Sequence, residues 1–183
     1  MSPLLFIKLG GCLQSDSSNV VNIGLVNPKS PSNVAVILRA SGCYGVASVF
    51  YSGSRYKHAK KFHEDTKNFH QTIPTVAVDD LLAAKPEGAC SVVIELVEGA
   101  IPLPEFEHPK HAFYIFGPED GSVSQAIVDA CDHVVYIPTT SSMNLAATAN
   151  VVLYDRMAKS DYEKGDELIR KSRDTNNQVK KRA

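Results

Sequence analysis

Residue types able to do chemistry gather at three places in this 183-residue sequence. The stretch Gly117–Ser122 (GPEDGS) sets the carboxylate of Glu119 in a turn with Gly and Pro. Pro138–Asn144 (PTTSSMN) offers hydroxyls and an amide. Upstream, Asn33 and Arg39 share one segment, NVAVILRASG. A guanidinium fork suits a phosphate or a ribose. An Arg among apolar residues also serves as a snorkelling surface residue or a carboxylate partner. Hydroxyls before a helix commonly cap it, a task open to Ser141 or Ser142; with the backbone amides they could equally hold a polar small molecule. The GPE turn reads as well as a tight bend with a locally paired carboxylate.

Other chemistries lack their residues. No GxGxxG and no Walker-type GK[ST] occurs, so a dinucleotide or P-loop site has little support. No GxSxG elbow is present, which disfavours a serine hydrolase. The six histidines form no HxxxH or HExxH. Cys12, Cys43, Cys90 and Cys131 are too scattered for a metal site or a disulfide framework. They read as reduced, buried thiols of a cytoplasmic protein, with no metal. A net charge of −1 announces no nucleic-acid binder, but local patches can still be basic. The local basic clusters are Arg55, Lys57, Lys60 and Lys61, and at the C-terminus Arg170, Lys171, Arg173, Lys180, Lys181 and Arg182, the candidates for any nucleic-acid contact. Each cluster reads equally as a solvated face or tail.

The elements that must position these residues are short apolar runs alternating with helical patterns. Hydrophobic content of 44% and charged content of 21% suit a folded domain. No run reaches membrane-spanning length, and the N-terminus lacks the basic lead of a secretory signal. Strands are expected at Val20–Val26, Ala47–Tyr51, Thr75–Val78, Ser91–Leu96, Phe113–Phe116 and Val134–Ile137. Helices are expected at Asn33–Gly42, capped by Ser32 or Asn33, at Arg55–Asn68, at Asp79–Ala84, and from near Asn144 through Asp161. Glu163–Arg173 is amphipathic, and the proline-rich stretch 97–111 reads as a loop. Strand, polar turn and helix in repetition indicate a parallel α/β sheet. Ligands of such sheets sit beyond the carboxyl ends of the strands, which is where both polar turns fall. We divide the chain into an arm (1–20), a main domain (21–160) and a C-terminal helix with a basic tail (161–183).

Taken in order, PSNVAVILRASGCYGV, FYIFGPEDGSVS and VVYIPTTSSMNLAATANVVLYDR resemble the three motifs of SpoU-type (TrmH-like) ribose 2′-O-methyltransferases of the SPOUT class, nearest the minimal single-domain tRNA enzymes. The resemblance runs from about Asn22 to Arg156. It implies a parallel sheet flanked by helices, a deep C-terminal trefoil knot, a homodimer, and S-adenosylmethionine held by three loops. Leu96 and its neighbours in VIELVEG would lie in the first loop and Gly117 and Glu119 in the second. Ile137, Ser142, Asn144 and Leu145 would lie in the third. Arg39 and Asn33 match the first motif, whose Arg is the family's proposed catalytic residue. Glu119, Ser142 and Asn144 complete the implied catalytic set. The implied substrate is tRNA. The alternatives are rRNA, a base instead of the ribose, or an RNA-binding member without activity. Three departures from the motifs stand out: Ala35 where Gly is frequent, Ser122 and Val123 in the last two places of a motif that usually reads E-x-x-G-L, and Met143 where Leu is common. A Gly-only backbone angle at Ser122 would strain a Ser.

Overall fold

Five-residue runs such as AFYIF and VNIGL bury every side chain, and strands with both faces covered make parallel sheets. The structure, a computed structural model, describes residues 19–59 and 73–181. In chain order its elements are β1 (Val21–Leu25), α1 (Pro31–Tyr44), β2 (Ser48–Tyr51), α2 (Arg55–Ala59), β3 (Thr75–Ala77), β4 (Cys90–Ile94), β5 (Ile101–Pro102), β6 (Ala112–Phe116), α3 (Gln125–Ala130), β7 (His133–Tyr136), α4 (Leu145–Ala158) and α5 (Asp166–Ser172). The strands form one parallel sheet in the order β3-β2-β1-β6-β4-β7-β5. The chain builds outward from β1 to β3 and crosses to β4 and β5. It then returns to insert β6 between β1 and β4, and β7 between β4 and β5.

Alternation along β6 divides the core between the two faces. Tyr114 and Phe116 point to the side covered by α1 and α4, with Ile37, Leu38, Ala149, Val152 and Leu153. Phe113 and Ile115 point to the other side, with Leu81, Val93 and Val123, against which Ile127 and Val128 of α3 pack. The parallel α/β sheet inferred from the sequence is therefore present.

Several boundaries differ from the sequence reading. Ser30, not Ser32 or Asn33, caps α1: its Oγ accepts from Asn33 N at 3.3 Å, and Pro31 occupies the first helical turn. Proline fits there because that N–H has no intrahelical partner. The helix runs past Gly42 to Gly45, whose left-handed backbone (φ 68°) closes it. Residues 79–84 form a turn instead of a helix, with Asp80 Oδ1 accepting from Leu82 N and Ala83 N at 2.8 and 3.2 Å. The stretch read as a loop contains β5 and a 3₁₀ turn at Leu103–Glu105. α4 stops at Ala158, short of Asp161. Of the expected helix over Arg55–Asn68, only α2 lies within the described residues; most of the arm, Lys60, Lys61 and Arg182 lie outside them. Cys90 is buried as expected, but Cys43 is exposed and Cys131 half-buried.

A polar knot of side chains ties α4 to the segment before β6. Arg156 donates to Pro109 O at 2.6 Å, Lys110 O at 2.8 Å and Tyr114 Oη at 3.1 Å, and also to Asn19 Oδ1. His108 lies between Tyr114 Oη and Asp155 Oδ2, the latter at 2.9 Å. Burial lowers the pKa of His108, outweighing its bond to Asp155 and aided by the Arg156 charge. The ring is thus neutral, with Nε2–H donating to the carboxylate and Nδ1 accepting from the phenol. Burial also pushes the Tyr114 phenol up to about 12, against the pull of Arg156.

Candidate functional site

Three neighbouring strands, β6, β4 and β7, end at one rim of the sheet, and the loops leaving them enclose a cavity of about 440 Å³. Glu95 and Leu96 come from the loop after β4. Gly117, Pro118, Glu119, Gly121 and Ser122 come from the loop after β6. Ile137, Thr139, Ser142 and Met143 follow β7, and Leu145 and Thr148 belong to the start of α4. Much of the wall is apolar, with hydroxyls on one side. Among the described residues its charged lining side chains are two carboxylates, Glu95 and Glu119, and no Lys, Arg or His lines it. Such a site favours a partly apolar small molecule that carries positive charge.

The carboxylate of Glu119 faces the entry to α1. Its Oε2 accepts from Lys29 N at 2.8 Å, and its Oε1 from Ser30 N at 2.9 Å and Asn33 Nδ2 at 3.0 Å. Partial burial alone would raise its pKa. The donors from Lys29, Asn33 and Ser30 outweigh that and hold the group below the ordinary carboxylate range. Asn33 then turns its Oδ1 to Asn144 Nδ2 at 3.1 Å. Asn144 in turn caps α4, its Oδ1 accepting from Ala146 N and Ala147 N at 2.9 and 3.2 Å. Each amide orientation is thereby fixed by a partner that can only accept or only donate. One chain of hydrogen bonds runs from the second loop through α1 to the third.

Sequence reasoning proposed a group of site residues, and the structure sorts them. Leu96, Gly117, Glu119, Ile137, Ser142 and Leu145 line the cavity. Asn33 and Asn144 stand behind it and brace it. Arg39 lies on the exposed side of α1, in the file of Ser32, Val36 and Cys43, and does not line this chain's cavity. Ser141 and Ser142 leave the capping of α4 to Asn144. Ser122 is unstrained: among the described non-glycine residues only Asn27 has a positive φ.

Arg55, counted among the cations for RNA, is engaged within the chain. Its guanidinium binds Asp120 Oδ1 at 2.7 Å and donates to Asn27 O. That Arg55 bond is the main cause of the lowered pKa of Asp120, with Lys29 adding at 3.4 Å. Lys57 is exposed and forms no ion pair among the described residues. Lys171 and Arg170 sit in the last turn of α5, which has no buried residue.

Glu95 falls in the first-loop stretch VIELVEG, but the sequence reading gave it no role of its own. Its Oε1 accepts from Leu96 N at 3.0 Å and its Oε2 from Val123 N at 3.1 Å, so it joins the first loop to the end of the second. A Cβ on Gly117 would stand 3.1 Å from Glu95 Oε2. Glycine is what lets the carboxylate approach so closely. The only signal in the sequence was an acidic residue directly after a buried strand. Among the described residues no group of three or more His, Cys, Asp or Glu side chains is placed to hold a metal.

Comparison with known proteins supplies the wider context. Residues 20–154 match the model of the SpoU rRNA Methylase family. The tRNA (guanosine(18)-2′-O)-methyltransferase of Aquifex aeolicus (strain VF5) is 27% identical over 146 residues, which cover 76% of this chain and 69% of that protein. Among solved structures, the A. aeolicus TrmH/SpoU tRNA modifying enzyme is similar with a TM-score of 0.64 at 23% identity, over 76% of this chain and 74% of that one. An rRNA methyltransferase from Sinorhizobium meliloti gives 0.66 at 16% identity, over 77% of this chain. The SpoU methyltransferase AviRb from Streptomyces viridochromogenes, in complex with AdoMet, gives 0.63 at 20% identity, over 78% of this chain. Of these last two proteins the match spans 56% and 58% of the length.

Proposed function

The chain belongs to the SpoU rRNA methylase family, and from that premise we propose that it transfers a methyl group from S-adenosylmethionine to a ribose 2′-hydroxyl of RNA, with tRNA as the substrate. The observation that carries this reading is the single cavity built by the loops after β4, β6 and β7, the three loops to which the motifs assign the methyl donor. The residues present fit that donor. Leu96, Ile137 and Leu145 supply apolar walls for a flat base, and Ser142 supplies a hydroxyl. Glu95 and Glu119 supply negative charge toward a cationic ligand. The volume lies within the range of about 300–1,000 Å³ usual for small-molecule sites.

When bound, S-adenosylmethionine supplies a methyl carbon made electrophilic by its sulfonium. The chain's own part is to hold donor and hydroxyl in line, where most of the rate gain arises. The braced loops serve this, because Glu119, Asn33 and Asn144 leave the cavity wall little freedom. Arg39 is the candidate to bind the RNA phosphate and lower the cost of charge developing on the 2′-oxygen. A deprotonated guanidinium base is disfavoured, because Arg stays charged. Its exposure outside this chain's own cavity supports the homodimer implied by the motifs. The insertion of β6 and β7 between earlier strands is compatible with the trefoil knot. We place the protein in the cytoplasm; no helix among the described residues is long and apolar enough to cross a membrane. Ribosomal RNA is the second substrate reading, favoured by the family's description.

The test is incubation of the purified protein with S-adenosylmethionine and either tRNA or rRNA, then mass spectrometry of the digested RNA. A 2′-O-methylated nucleoside from tRNA is expected. Methyl label on a base, or in neither RNA, would overturn the reading.

A further inference from the structure

Of the cavity's two carboxylates, Glu119 is already taken up. Three donors from residues 29–33 converge on its oxygens. Glu95 is held differently. Two backbone amides, one per oxygen, fix its position over Gly117. A carboxylate has about four acceptor directions, so each oxygen retains acceptor capacity, and the residue lines the cavity. Among the described residues no basic side chain lines the cavity to neutralise it.

Resting on the reading of this cavity as the methyl-donor site, we infer that Glu95 is the residue that lets the protein distinguish the charged donor from the spent product. Transfer moves the methyl from sulfur to the ribose oxygen, and the hydroxyl proton leaves to solvent. The sulfonium becomes a neutral thioether, and the ligand loses one positive charge. A fixed carboxylate beside the ligand therefore attracts S-adenosylmethionine and is indifferent to that part of S-adenosylhomocysteine. The consequence is turnover with weaker product inhibition. Glu95 acts here as a positioning and specificity residue. The same carboxylate also holds Val123 N, so specificity and loop order share one side chain.

Calorimetric titration of both ligands into wild type and Glu95→Gln tests this. Gln keeps a carbonyl acceptor for one backbone amide and removes the charge. We expect the variant to bind S-adenosylmethionine about tenfold more weakly, the size of a partly screened charge pair, while S-adenosylhomocysteine affinity changes by less than about threefold. Equal losses for both ligands, or no loss for either, would overturn the inference and leave Glu95 as a loop anchor. Wild type supplies an arm that needs no variant to fold: it should prefer S-adenosylmethionine to S-adenosylhomocysteine, and equal affinities would refute the charge argument. Wild type that binds neither ligand contradicts the donor-site reading itself, an outcome distinct from all the others.

Discussion

Arg39 and Asn144 illustrate two ways a motif residue can serve a site. Asn144 has its Oδ1 on the first amides of α4 and a donor on Asn33. Replacing it with Ala removes a helix cap worth about 1 kcal/mol and unties α1 from α4. Urea unfolding should therefore show a lower midpoint, and donor affinity should fall with it. Among the described residues Arg39 has no such ties, so Arg39→Ala should leave the unfolding midpoint close to wild type. Single-turnover methylation by Arg39→Ala should slow at least about a hundredfold, the scale of a lost oxyanion donor. Arg39→Lys should recover only part of that, because a point charge lacks the fork. A normal rate in Arg39→Ala would remove it from the mechanism. Asn33, Glu119 and Asn144 were legible in the sequence because motif order marked them. Glu95 was legible only as a neighbour of Leu96, and its role was not, because a carboxylate following a buried strand has no spacing that sets it apart. Nor was the engagement of Arg55, whose partner Asp120 lies 65 positions away.

At the scale of elements, the strands were the most readable because burial on both faces makes them continuous apolar runs. β5 escaped notice: it is two residues long, Ile101–Pro102, at the sheet edge, where proline is tolerated. Helix ends were less legible, since Gly42 looked like a stop while the left-handed residue that closes α1 is Gly45, three positions on. The seating of α4 could not be read at all. It depends on Arg156, which meets carbonyls of Pro109 and Lys110 and the phenol of Tyr114. Arg156→Met should leave the buried Tyr114 phenol and the part-buried Pro109 and Lys110 carbonyls without this donor and cost about 1–3 kcal/mol. A matching drop in the urea midpoint checks this. Because α4 begins at the cavity with Leu145 and Thr148, the same variant should weaken donor binding from a distance.

For the whole molecule, the order β3-β2-β1-β6-β4-β7-β5 makes the site a meeting of distant chain segments. Alternation of strands and helices revealed a parallel sheet; it carries no information on where a returning strand inserts. Stability should depend on pH in stages. His108 is lowered in the folded protein, so the unfolded chain takes up its proton first as pH falls below about 6.5. Stability is thus lost on acidification through that window, and His108→Gln should flatten this first limb. A second loss should follow at lower pH, as Glu119 and Asp120, both depressed when folded by the donors described above, become protonated. The folded Tyr114 phenol is raised, so its contribution is present below pH 10 and lost as pH rises through about 12. Thermal unfolding across pH checks all three limbs. RNA affinity should fall steeply with salt if Lys57 and the C-terminal cations contact the backbone; a flat profile would exclude them. The bond from Asn144 to Asn33 spans 111 positions. A ribosome adding roughly 5–20 residues per second needs roughly 6–22 s to cover that distance. For that interval a nascent chain has made α1 but not the amide that completes it. The donor cavity is therefore a late product of synthesis, and no fragment released early can be expected to hold its ligand.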